Sequence, residues 1–274
     1  MNLQYLAPRL LRHFLPEGLT RFLLLRSLII KPGLETIDPV AAVARYREAL
    51  SSHGESIHGR RILVFGYGGR FDIGIGLLEA GASYVALCDK YARTDDAHNR
   101  RLLKQHAKWL QVGNRAPRPR PDRMTLVEGD ARELEVPAVP NRYDLVLSNS
   151  VYEHLDDAEG VTAALARWTA AGGRHIHFVD LRDHFFKYPF EMLRYSETTW
   201  RRWLNPTSNH NRLRLWDYRR IFEAHFREVE IKVLQRDEAA FSSIRAHIRP
   251  EFVSGVAEQD DVTLIRITAS IPHS

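Results

Sequence analysis

Short apolar runs alternate with helical patterns through the middle of the chain. Residues 62–65 and 84–88 are apolar runs of strand length, and such continuous runs are typical of strands buried on both faces of a parallel sheet. Between them, residues 71–80 have the pattern of a helix, and Gly81 is a suitable stop. The order strand, helix, strand predicts one half of a nucleotide-binding α/β fold.

The same alternation continues toward the C-terminus. Residues 124–137 predict a third strand followed by a turn that carries Asp130, and a fourth strand begins at Tyr143 and ends around Asn149. The remaining predicted elements are a helix at 158–171 closed by two glycines, a fifth strand at 174–180, a helix at 217–225, and an antiparallel strand pair at 226–234 and 262–269.

The first strand runs into a glycine-rich turn, and the second ends in a carboxylate. Gly66, Gly68 and Gly69 stand where the backbone must turn sharply, and Asp89 ends the second strand. A ligand can approach a turn that has no Cβ atoms, and a carboxylate at the neighbouring strand end can bind two ribose hydroxyls. NAD and S-adenosylmethionine both contain such a ribose, so both fit at this level.

Two side chains at the start of the helix distinguish these cofactors. A dinucleotide needs a final glycine for close helix packing and bare amides that hold its pyrophosphate, but Arg70 and Phe71 occupy that region. S-adenosylmethionine has no phosphate and needs only the glycine turn and the distal carboxylate. The sequence therefore favours S-adenosylmethionine over the cofactor of a dehydrogenase.

The four ordered segments together resemble a known family. The fourth strand continues into Ser-Asn-Ser-Val-Tyr-Glu-His at residues 148–154. With the glycine turn, the strand-end acid and the turn at Asp130, this resembles the class I S-adenosylmethionine-dependent methyltransferases, in particular a large bacterial group that acts on small molecules and glycans. The resemblance covers roughly residues 61–183, and four segments in the same order are far more specific than a single glycine motif.

The resemblance implies where the cofactor binds. The glycine turn would hold the methionine part, Asp89 the ribose, and Asp130 with the Ala131 amide the adenine, while Asn149 would lie along the cofactor edge that faces the acceptor. The implied cofactor-binding residues are Gly66, Tyr67, Gly68, Asp89, Asp130, Ala131 and Asn149.

Two positions depart from the family pattern. Val64 stands where an acidic residue is frequent, and Arg70 stands where the third glycine is usual. These departures bear on the contacts to the methionine part of the cofactor. A non-catalytic S-adenosylmethionine-binding module therefore stays open as an alternative to an enzyme.

We predict an α/β fold with a Rossmann-like, doubly wound, seven-stranded and mainly parallel sheet whose last strand is antiparallel. At 274 residues the chain is long enough for one large domain with additions. A helical N-terminal extension at 1–57 precedes the methyltransferase domain at 58–274. An aromatic-rich insertion at 186–214, after the fifth strand, would cap the substrate pocket.

Apolar residues and arginines are mixed in the N-terminal extension. Arginines interrupt its apolar stretches and no cleavage site follows a clean apolar core, so we predict a cytoplasmic protein without a spanning helix or a signal peptide. Pro16 and Gly18 divide the segment into two short helices, the second at 19–30. Its periodicity favours packing against the catalytic domain or a partner subunit, as in a homodimer, with a peripheral membrane contact as the alternative.

Charge and cysteine usage narrow the range of partners. The net charge is +5 and arginine supplies most of the cations, which is a weak indication of nucleic-acid binding. A basic helix at 95–110 and an Arg/Pro segment at 114–123, which we predict to be an extended linker, contain only Trp109 as an aromatic, too few for an RNA-stacking platform. Cys88 is the single cysteine, so a disulfide or a cysteine nucleophile is not expected.

Methyl transfer requires alignment of the reactants and, for most oxygen or nitrogen acceptors, removal of a proton. His154, just after the fourth strand, is the first candidate for the general base, with Asp183 and His184 after the fifth strand as alternatives. Asp180, Asp183 and His184 also form a candidate set of metal ligands. Because adjacent acids at a strand end are more often turn residues, we predict no metal.

The predicted function is transfer of a methyl group from S-adenosylmethionine to an oxygen, or less favourably a nitrogen, of a small-molecule, sugar or lipid-linked acceptor. An RNA methyltransferase is the alternative with a nucleic-acid partner, but the fourth strand does not end in the Asn/Asp-Pro-Pro-aromatic sequence that clamps an amino base. His175 and His177 alternate with apolar residues on one strand, which predicts histidines of the core or of an interface.

Overall fold

The computed structural model describes residues 3–13, 37–113, 116–135, 142–185, 187–205 and 209–273. Strands and helices alternate through most of this part of the chain. The strands are β1 (Arg61–Phe65), β2 (Tyr84–Asp89), β3 (Leu110–Val112), β4 (Pro117–Pro119), β5 (Met124–Glu128), β6 (Tyr143–Asn149), β7 (Thr169–Asp180), β8 (Phe226–Arg236) and β9 (Val262–Pro272). The longer helices are α1 (Leu3–His13), α2 (Pro39–Ser51), α3 (Asp72–Glu79), α4 (Asp96–Gln105), α5 (Ala158–Trp168), α6 (Leu215–Glu223) and α7 (Glu238–Ile244).

The strands other than β3 and β4 form one 7-stranded sheet in the order β5-β2-β1-β6-β7-β9-β8. β1 pairs in parallel with β2 and β6, whereas β9 is antiparallel to both of its neighbours, β7 and β8. The predicted Rossmann-like, mainly parallel sheet with an antiparallel last strand is therefore confirmed. The strand order reverses between β1 and β6, and in open α/β sheets ligands bind beyond the carboxyl ends of the strands at such a point.

The side chains of β1 show why the central strands are apolar throughout. Ile62 and Val64 lie in a cluster that includes buried residues of α2 and α3, whereas Leu63 and Phe65 lie in a cluster with buried residues of α5. All four side chains are buried. Because successive side chains of a strand point to opposite faces, helices on both faces require an apolar residue at every position.

The described helices of the N-terminal segment pack in two different places. α2 contributes Tyr46 and Leu50 to the core of the sheet, and Ile57 joins the same cluster. α1 instead packs against the helical turn Trp200–Leu204, which follows β7 in the chain. Residues 39–57 thus share the core of the sheet, while the domain boundary at 57/58 stays a prediction. The predicted helix at 19–30 lies outside the described residues.

No helix in the described part of the chain combines the length and the apolar character that crossing a membrane requires.

The Arg/Pro segment differs from the predicted extended linker. β4 pairs antiparallel with β3 to form a small hairpin, and the Arg120 amide donates to the carbonyl of Trp109 at 2.9 Å. α4 correspondingly ends at Gln105 instead of continuing to residue 110. The sequence prediction was wrong here because proline has no backbone N–H and is rare in strands. The short edge strand β4 contains two prolines and needs few backbone donors.

Gly172 and Gly173, which were predicted to end the helix, lie inside the following strand. α5 ends at Trp168, and β7 begins at Thr169 and includes both glycines. A Cβ atom on Gly173 would lie 2.9 Å from the carbonyl oxygen of Tyr143 in the neighbouring strand. A glycine is therefore required inside the strand for close approach of β6, not at the end of the helix.

A chain of polar side chains crosses the core beneath β7. Thr169 Oγ1 donates to the carbonyl of Leu165, so it accepts from Nε2 of His175, both at 2.7 Å. His175 Nδ1 then accepts from His177 Nε2 at 3.0 Å, and His177 Nδ1 accepts from Ser148 Oγ at 2.7 Å. Both rings must be neutral to complete this chain. Burial lowers the pKa of His175 to about 3, and the predicted role of both histidines in the core is confirmed.

A separate apolar cluster, the cap, follows the carboxyl end of β7. Phe190, Trp200 and Leu204 pack with Tyr5 of α1 and with Phe241 of α7. The cap therefore combines three parts of the chain: the insertion after β7, the first helix, and the segment between β8 and β9. The sequence prediction assigned only the insertion at 186–214 to it.

Candidate active site

The turn after β1 can be built only from glycine at two of its positions. Gly66 and Gly69 have φ values of 85° and 88°, in the left-handed region. A Cβ atom on Gly66 would lie 2.3 Å from Cγ2 of Val151, and one on Gly69 would lie 2.2 Å from the carbonyl oxygen of Arg93. The turn therefore packs tightly against the segments that follow β6 and β2, and Gly68 is its exposed residue.

Asp89 lies beside this turn. Its Oδ2 accepts from the Gly68 amide at 3.3 Å, and its Oδ1 accepts from the amides of Tyr91 and Ala92, both at 2.8 Å. The parallel pairing of β1 with β2 brings the two strand ends together, because Phe65 is opposite Cys88. The carboxylate is held rigidly at the crevice, which is the geometry that binding of the ribose hydroxyls of an adenosine requires.

Tyr67 and Phe71 fill the space beneath the turn. Both side chains are buried, and their rings stack with centroids 6.5 Å apart. The amide of Phe71 at the start of α3 donates to Oδ1 of Asn99 at 3.2 Å. A pyrophosphate would find this helix N-terminus filled by side chains, as the sequence indicated. The buried ring of Tyr67 limits its predicted contact with the cofactor to the backbone.

Asp130 binds two cations of its own chain. Its Oδ2 accepts from Lys90 Nζ at 2.9 Å and from Arg132 Nη2 at 2.6 Å, and the Arg132 guanidinium holds the pKa of the carboxyl well below its usual range. In contrast, the Ala131 amide has no hydrogen-bond acceptor among the residues that the structure describes. The amide is therefore available for the implied contact with adenine, whereas Asp130 is already bound to two cations.

Asn149 lies at the end of β6, one strand from the glycine turn. Its Oδ1 accepts from Arg45 Nη1 at 3.1 Å, and the Arg45 guanidinium lies over the ring of Phe178 at 3.9 Å from the centroid. The next residue, Ser150, has a φ of 55°, so the chain turns sharply at the strand end. α2 thereby reaches the rim of the sheet, where its Arg45 holds the side chain of Asn149. The family resemblance implies that Asn149 lies along the edge of the cofactor.

Three histidines from separate segments meet beyond the ends of β6 and β7. The ring centroids of His154 and His184 are 4.7 Å apart, and His210 lies 4.6 Å from His184 and 5.8 Å from His154. Burial lowers the pKa of His184 to about 4 and that of His210 well below its ordinary value. We call these residues the histidine cluster. Two of them are predicted general-base candidates, and the tertiary structure brings them together.

The return of the cap insertion fixes the position of His154. His154 Nδ1 donates to the carbonyl of Asn209 at 2.8 Å, and Asn209 Nδ2 donates to the carbonyl of His154 at 2.9 Å. The amide of Asn211 donates to the carbonyl of Glu153 at 2.8 Å. Because a neutral imidazole carries one proton, the proton on Nδ1 makes Nε2 the basic nitrogen of His154.

Asp183 has a different environment from that expected of a general base. Its side chain is fully buried, and its two carboxylate oxygens accept from the Tyr5 hydroxyl and from the Arg9 guanidinium. Oδ1 also accepts from the Phe185 amide at 2.8 Å. Asp183 therefore attaches α1 to the cap. This placement corrects its assignment as a catalytic candidate, because the buried carboxylate oxygens are already bound to donors of the same chain.

Several residues of the site escaped the sequence analysis. Arg45, Lys90 and Arg132 contact predicted site residues from elements with no motif of their own. His210 lies in a polar run within an otherwise aromatic insertion, and this contrast in composition was the available signal. Neither feature shows which strand end the residue reaches, because that depends on how the insertion folds back.

Comparison with known proteins agrees with this fold. Residues 72–177 match the family described as Methyltransferase domain, whereas no functionally curated protein matches the chain. A putative O-methyltransferase from Nostoc punctiforme is 15% identical, with 92% of this chain and 59% of that chain covered and a TM-score of 0.50.

Two further solved structures are similar. Phosphoethanolamine N-methyltransferase 2 of Haemonchus contortus, in complex with phosphomonomethylethanolamine and S-adenosylhomocysteine, is 15% identical, with 84% of this chain and 53% of that chain covered and a TM-score of 0.50. The putative methyltransferase of Haloferax volcanii, in complex with the Trm112 activator, is 14% identical, with 88% and 96% covered and a TM-score of 0.47. At such identities the similarity concerns the fold alone.

The fold, the matched family and the site point to the same conclusion. The family match begins at the first residue of α3 and ends in β7, and so includes β2, β5 and β6 with their carboxyl ends. The glycine turn and Asp89 lie together at the carboxyl ends of β1 and β2, next to the switch point of the sheet. The chain therefore contains a methyltransferase domain, at residues 72–177, on a Rossmann-like fold, and it is an enzyme whose cofactor is S-adenosylmethionine.

Proposed function

We propose that this enzyme methylates an oxygen of a small-molecule, sugar or lipid-linked acceptor. The observation that carries the proposal is the histidine cluster at the ends of β6 and β7, next to the strand end that carries Asn149. An alcohol must lose its proton as its oxygen attacks a methyl group, so it needs a proton acceptor at this rim. Neutral imidazoles supply one at physiological pH.

The proposed roles follow from the positions of the side chains. Gly66, Gly68 and the backbone of Tyr67 hold the methionine part of the cofactor, and Asp89 binds the ribose. The remaining contacts are those of Asp130 and the Ala131 amide with adenine and of Asn149 with the cofactor edge. S-adenosylmethionine supplies a methyl group on a sulfonium, which leaves as a neutral thioether.

His154 is the proposed general base. Its Nε2 takes the proton of the acceptor hydroxyl while the proton on Nδ1 stays bonded to the carbonyl of Asn209. His184 borders it and remains the second candidate. The cap keeps water from the acceptor and holds its oxygen in line with the methyl group, which is where most of the acceleration of such a displacement comes from.

The pairing of the surface charges favours a small acceptor over a nucleic acid. Many arginines of the described chain are bound to carboxylates of the same chain, which leaves fewer cations for phosphates. The pairs include Arg70 with Asp95, Arg132 with Asp130 and Asp157, Arg174 with Glu55, Arg182 with Asp180, and Arg236 with Asp261.

A labelling experiment tests the proposal. The full chain is incubated with S-adenosylmethionine carrying a ¹³C-methyl group and with bacterial extract divided into small-molecule, glycolipid and RNA pools. We expect label in one of the first two pools, in a methyl group whose carbon chemical shift identifies an ether, and its loss in His154→Ala. Label in RNA or on nitrogen would overturn the acceptor assignment. Binding of S-adenosylhomocysteine without label in any pool would instead indicate a non-catalytic binding module.

A further inference from the structure

We propose that Glu153, His154, His184 and His210 bind one divalent ion of the first transition row, of the zinc class, beside the acceptor site. The sequence predicts no metal, and the candidate ligands considered there were Asp180, Asp183 and His184. In the structure Asp180 is paired with Arg182, and Asp183 is paired with Arg9, so these two carboxylates have other partners. The new set comes from two strand ends and the return of the cap.

The geometry of the first three residues suits a single ion. One carboxylate oxygen of Glu153 and one ring nitrogen each of His154 and His184 lie within 4.8 Å of one another. Two ligands of a tetrahedral zinc ion lie roughly 3.4 Å apart, given bonds of about 2.1 Å. Rotation of side chains by about an ångström at their ends is therefore sufficient to bring the ligands to bonding distance.

His210 is an independent observation that points to the same place. Its side chain is 1% exposed, and neither ring nitrogen has a hydrogen-bond partner among the described residues. Its ring lies 4.6 Å from that of His184, and its backbone is held by the bond from Trp200 Nε1 to its carbonyl at 3.0 Å. Buried polar groups in native proteins are nearly always satisfied, so a ring held in this position indicates a ligand inside the cluster.

The surroundings match those of histidine ligands. A metal-binding histidine usually donates its other ring N–H to a carbonyl or carboxylate, and His154 donates Nδ1–H to Asn209. The two neighbouring arginines, Arg9 and Arg182, are each neutralised by an aspartate. Three imidazoles and one carboxylate suit zinc, cobalt or iron, whereas magnesium and calcium prefer a shell of oxygens.

The ion would deepen the proposed function, on which this catalytic role rests. An acceptor hydroxyl that binds as a fifth ligand expands the coordination of the ion, has a lowered pKa and releases its proton to solvent. The oxygen lone pair then forms the new bond to the methyl carbon, while the pair of the breaking C–S bond returns to sulfur. In the metal-loaded enzyme Nε2 of His154 is a ligand of the ion and cannot act as the general base. The ion instead activates the acceptor oxygen.

Cobalt and zinc titrations test the site without reference to activity. The full chain, freed of any affinity tag and treated with a chelator, is titrated with Co²⁺ by visible absorption and with Zn²⁺ by calorimetry. We expect one equivalent to bind, with affinity reduced at least about tenfold in His184→Ala and in His210→Ala. His106→Ala, which removes a surface imidazole bonded to Glu79, should leave binding unchanged. His210→Gln serves if the alanine variant does not fold.

Three results would overturn the inference. These are the absence of Co²⁺ and Zn²⁺ binding, binding that is the same in the His184 and His210 variants, and binding of Mg²⁺ alone. The binding of S-adenosylhomocysteine is measured on the same samples, and the acceptor labelling is repeated with and without Zn²⁺. Metal binding without any methyl transfer would contradict the proposed function but would still support the metal site. Methyl transfer that survives removal of the ion would return the role of base to His154.

Discussion

The two halves of the active site are built in different ways. On the cofactor side, a single strand-turn-helix-strand unit from β1 to β2 supplies both the glycine turn and Asp89. Gly68 and Asp89 are 21 residues apart in the chain. On the acceptor side, the histidine cluster is assembled from the segments after β6 and β7 and the return of the cap, with His154 and Asn209 separated by 55 residues. The first half is a local structure, and the second depends on tertiary packing.

This difference has a consequence for stability and for evolution of specificity. A ligand site made within one βαβ unit takes its main groups from a single stretch of sequence. A site made from loops and insertions can change its acceptor without disturbing the sheet, because loops tolerate substitution better than the core. Perturbations should therefore separate the halves, and the following changes test whether they do.

The largest effect is expected from Arg9→Ala. The change leaves the fully buried carboxylate of Asp183 without its cation and should lower the free energy of unfolding by about 3–5 kcal/mol. The affinity for S-adenosylhomocysteine, measured where the variant is folded, should stay within about twofold, since α1 packs against the cap. Urea unfolding and calorimetry measure the two quantities.

Arg47→Ala is the matched control for this change, because Arg47 is an exposed arginine of α2. It should shift the unfolding free energy by less than about 0.5 kcal/mol. A loss in Arg9→Ala no larger than in the control would show that the ion pair does not attach α1.

Asp89→Ala should affect the opposite half. Loss of charge-assisted hydrogen bonds to both ribose hydroxyls should cost about 3 kcal/mol of binding, which is roughly a 100-fold weaker dissociation constant for S-adenosylhomocysteine. Calorimetry measures it directly. Glu128→Gln is the control, since Glu128 is the exposed carboxylate opposite Asp89 in the register of β5 with β2. Equal affinities in the two variants would remove Asp89 from the cofactor site.

Gly66→Ala tests the contact that joins the halves, because Gly66 belongs to the cofactor turn and Val151 follows β6. The new Cβ would meet Val151, and φ of 85° is unfavourable for alanine. We expect Gly66→Ala to lower the free energy of unfolding by about 2–3 kcal/mol. Adding Val151→Ala should restore the part that comes from the clash, whereas the backbone strain of about 1–2 kcal/mol should remain. A double-mutant cycle by denaturant unfolding gives the coupling, and additive losses would refute the steric explanation.

The effect that is smallest per pH unit concerns the core histidines of β7. In the unfolded chain His175 titrates near 6.5, but burial lowers its pKa to about 3 in the fold. Between these values the unfolded chain binds the proton and the folded protein does not. The free energy of unfolding should therefore fall as the pH falls below 6.5, by up to about 1.4 kcal/mol per pH unit for this histidine.

Variants identify the group responsible. His175→Gln should reduce that slope by about the contribution of one proton between pH 4 and 6, as measured by urea unfolding at several pH values. His247→Gln, at an exposed position, should have the slope of the parent protein. A slope unaltered by His175→Gln would mean that the ring is already charged in the folded state.

The sequence by itself determined the mainly parallel sheet with its antiparallel last strand, and it predicted the cofactor side. Apolar strands, glycine turns and a strand-end acid are local patterns, and successive parallel strands bring their carboxyl ends together, so Asp89 beside Gly68 could be predicted. The hairpin of β3 and β4 and the end of α5 were predicted wrongly, because proline and glycine have several structural roles that depend on a neighbouring strand.

Only the tertiary structure decided the acceptor side. Asp183 and His184 are adjacent in sequence, yet one is buried against α1 and the other joins His154 and His210. The path of the cap determines which neighbour each side chain meets, and that path is fixed by long-range contacts such as those of Asn209, Asn211 and Arg9. Such contacts carry no periodic signal in the chain, because they join segments whose spacing in sequence is unrelated to their distance in space.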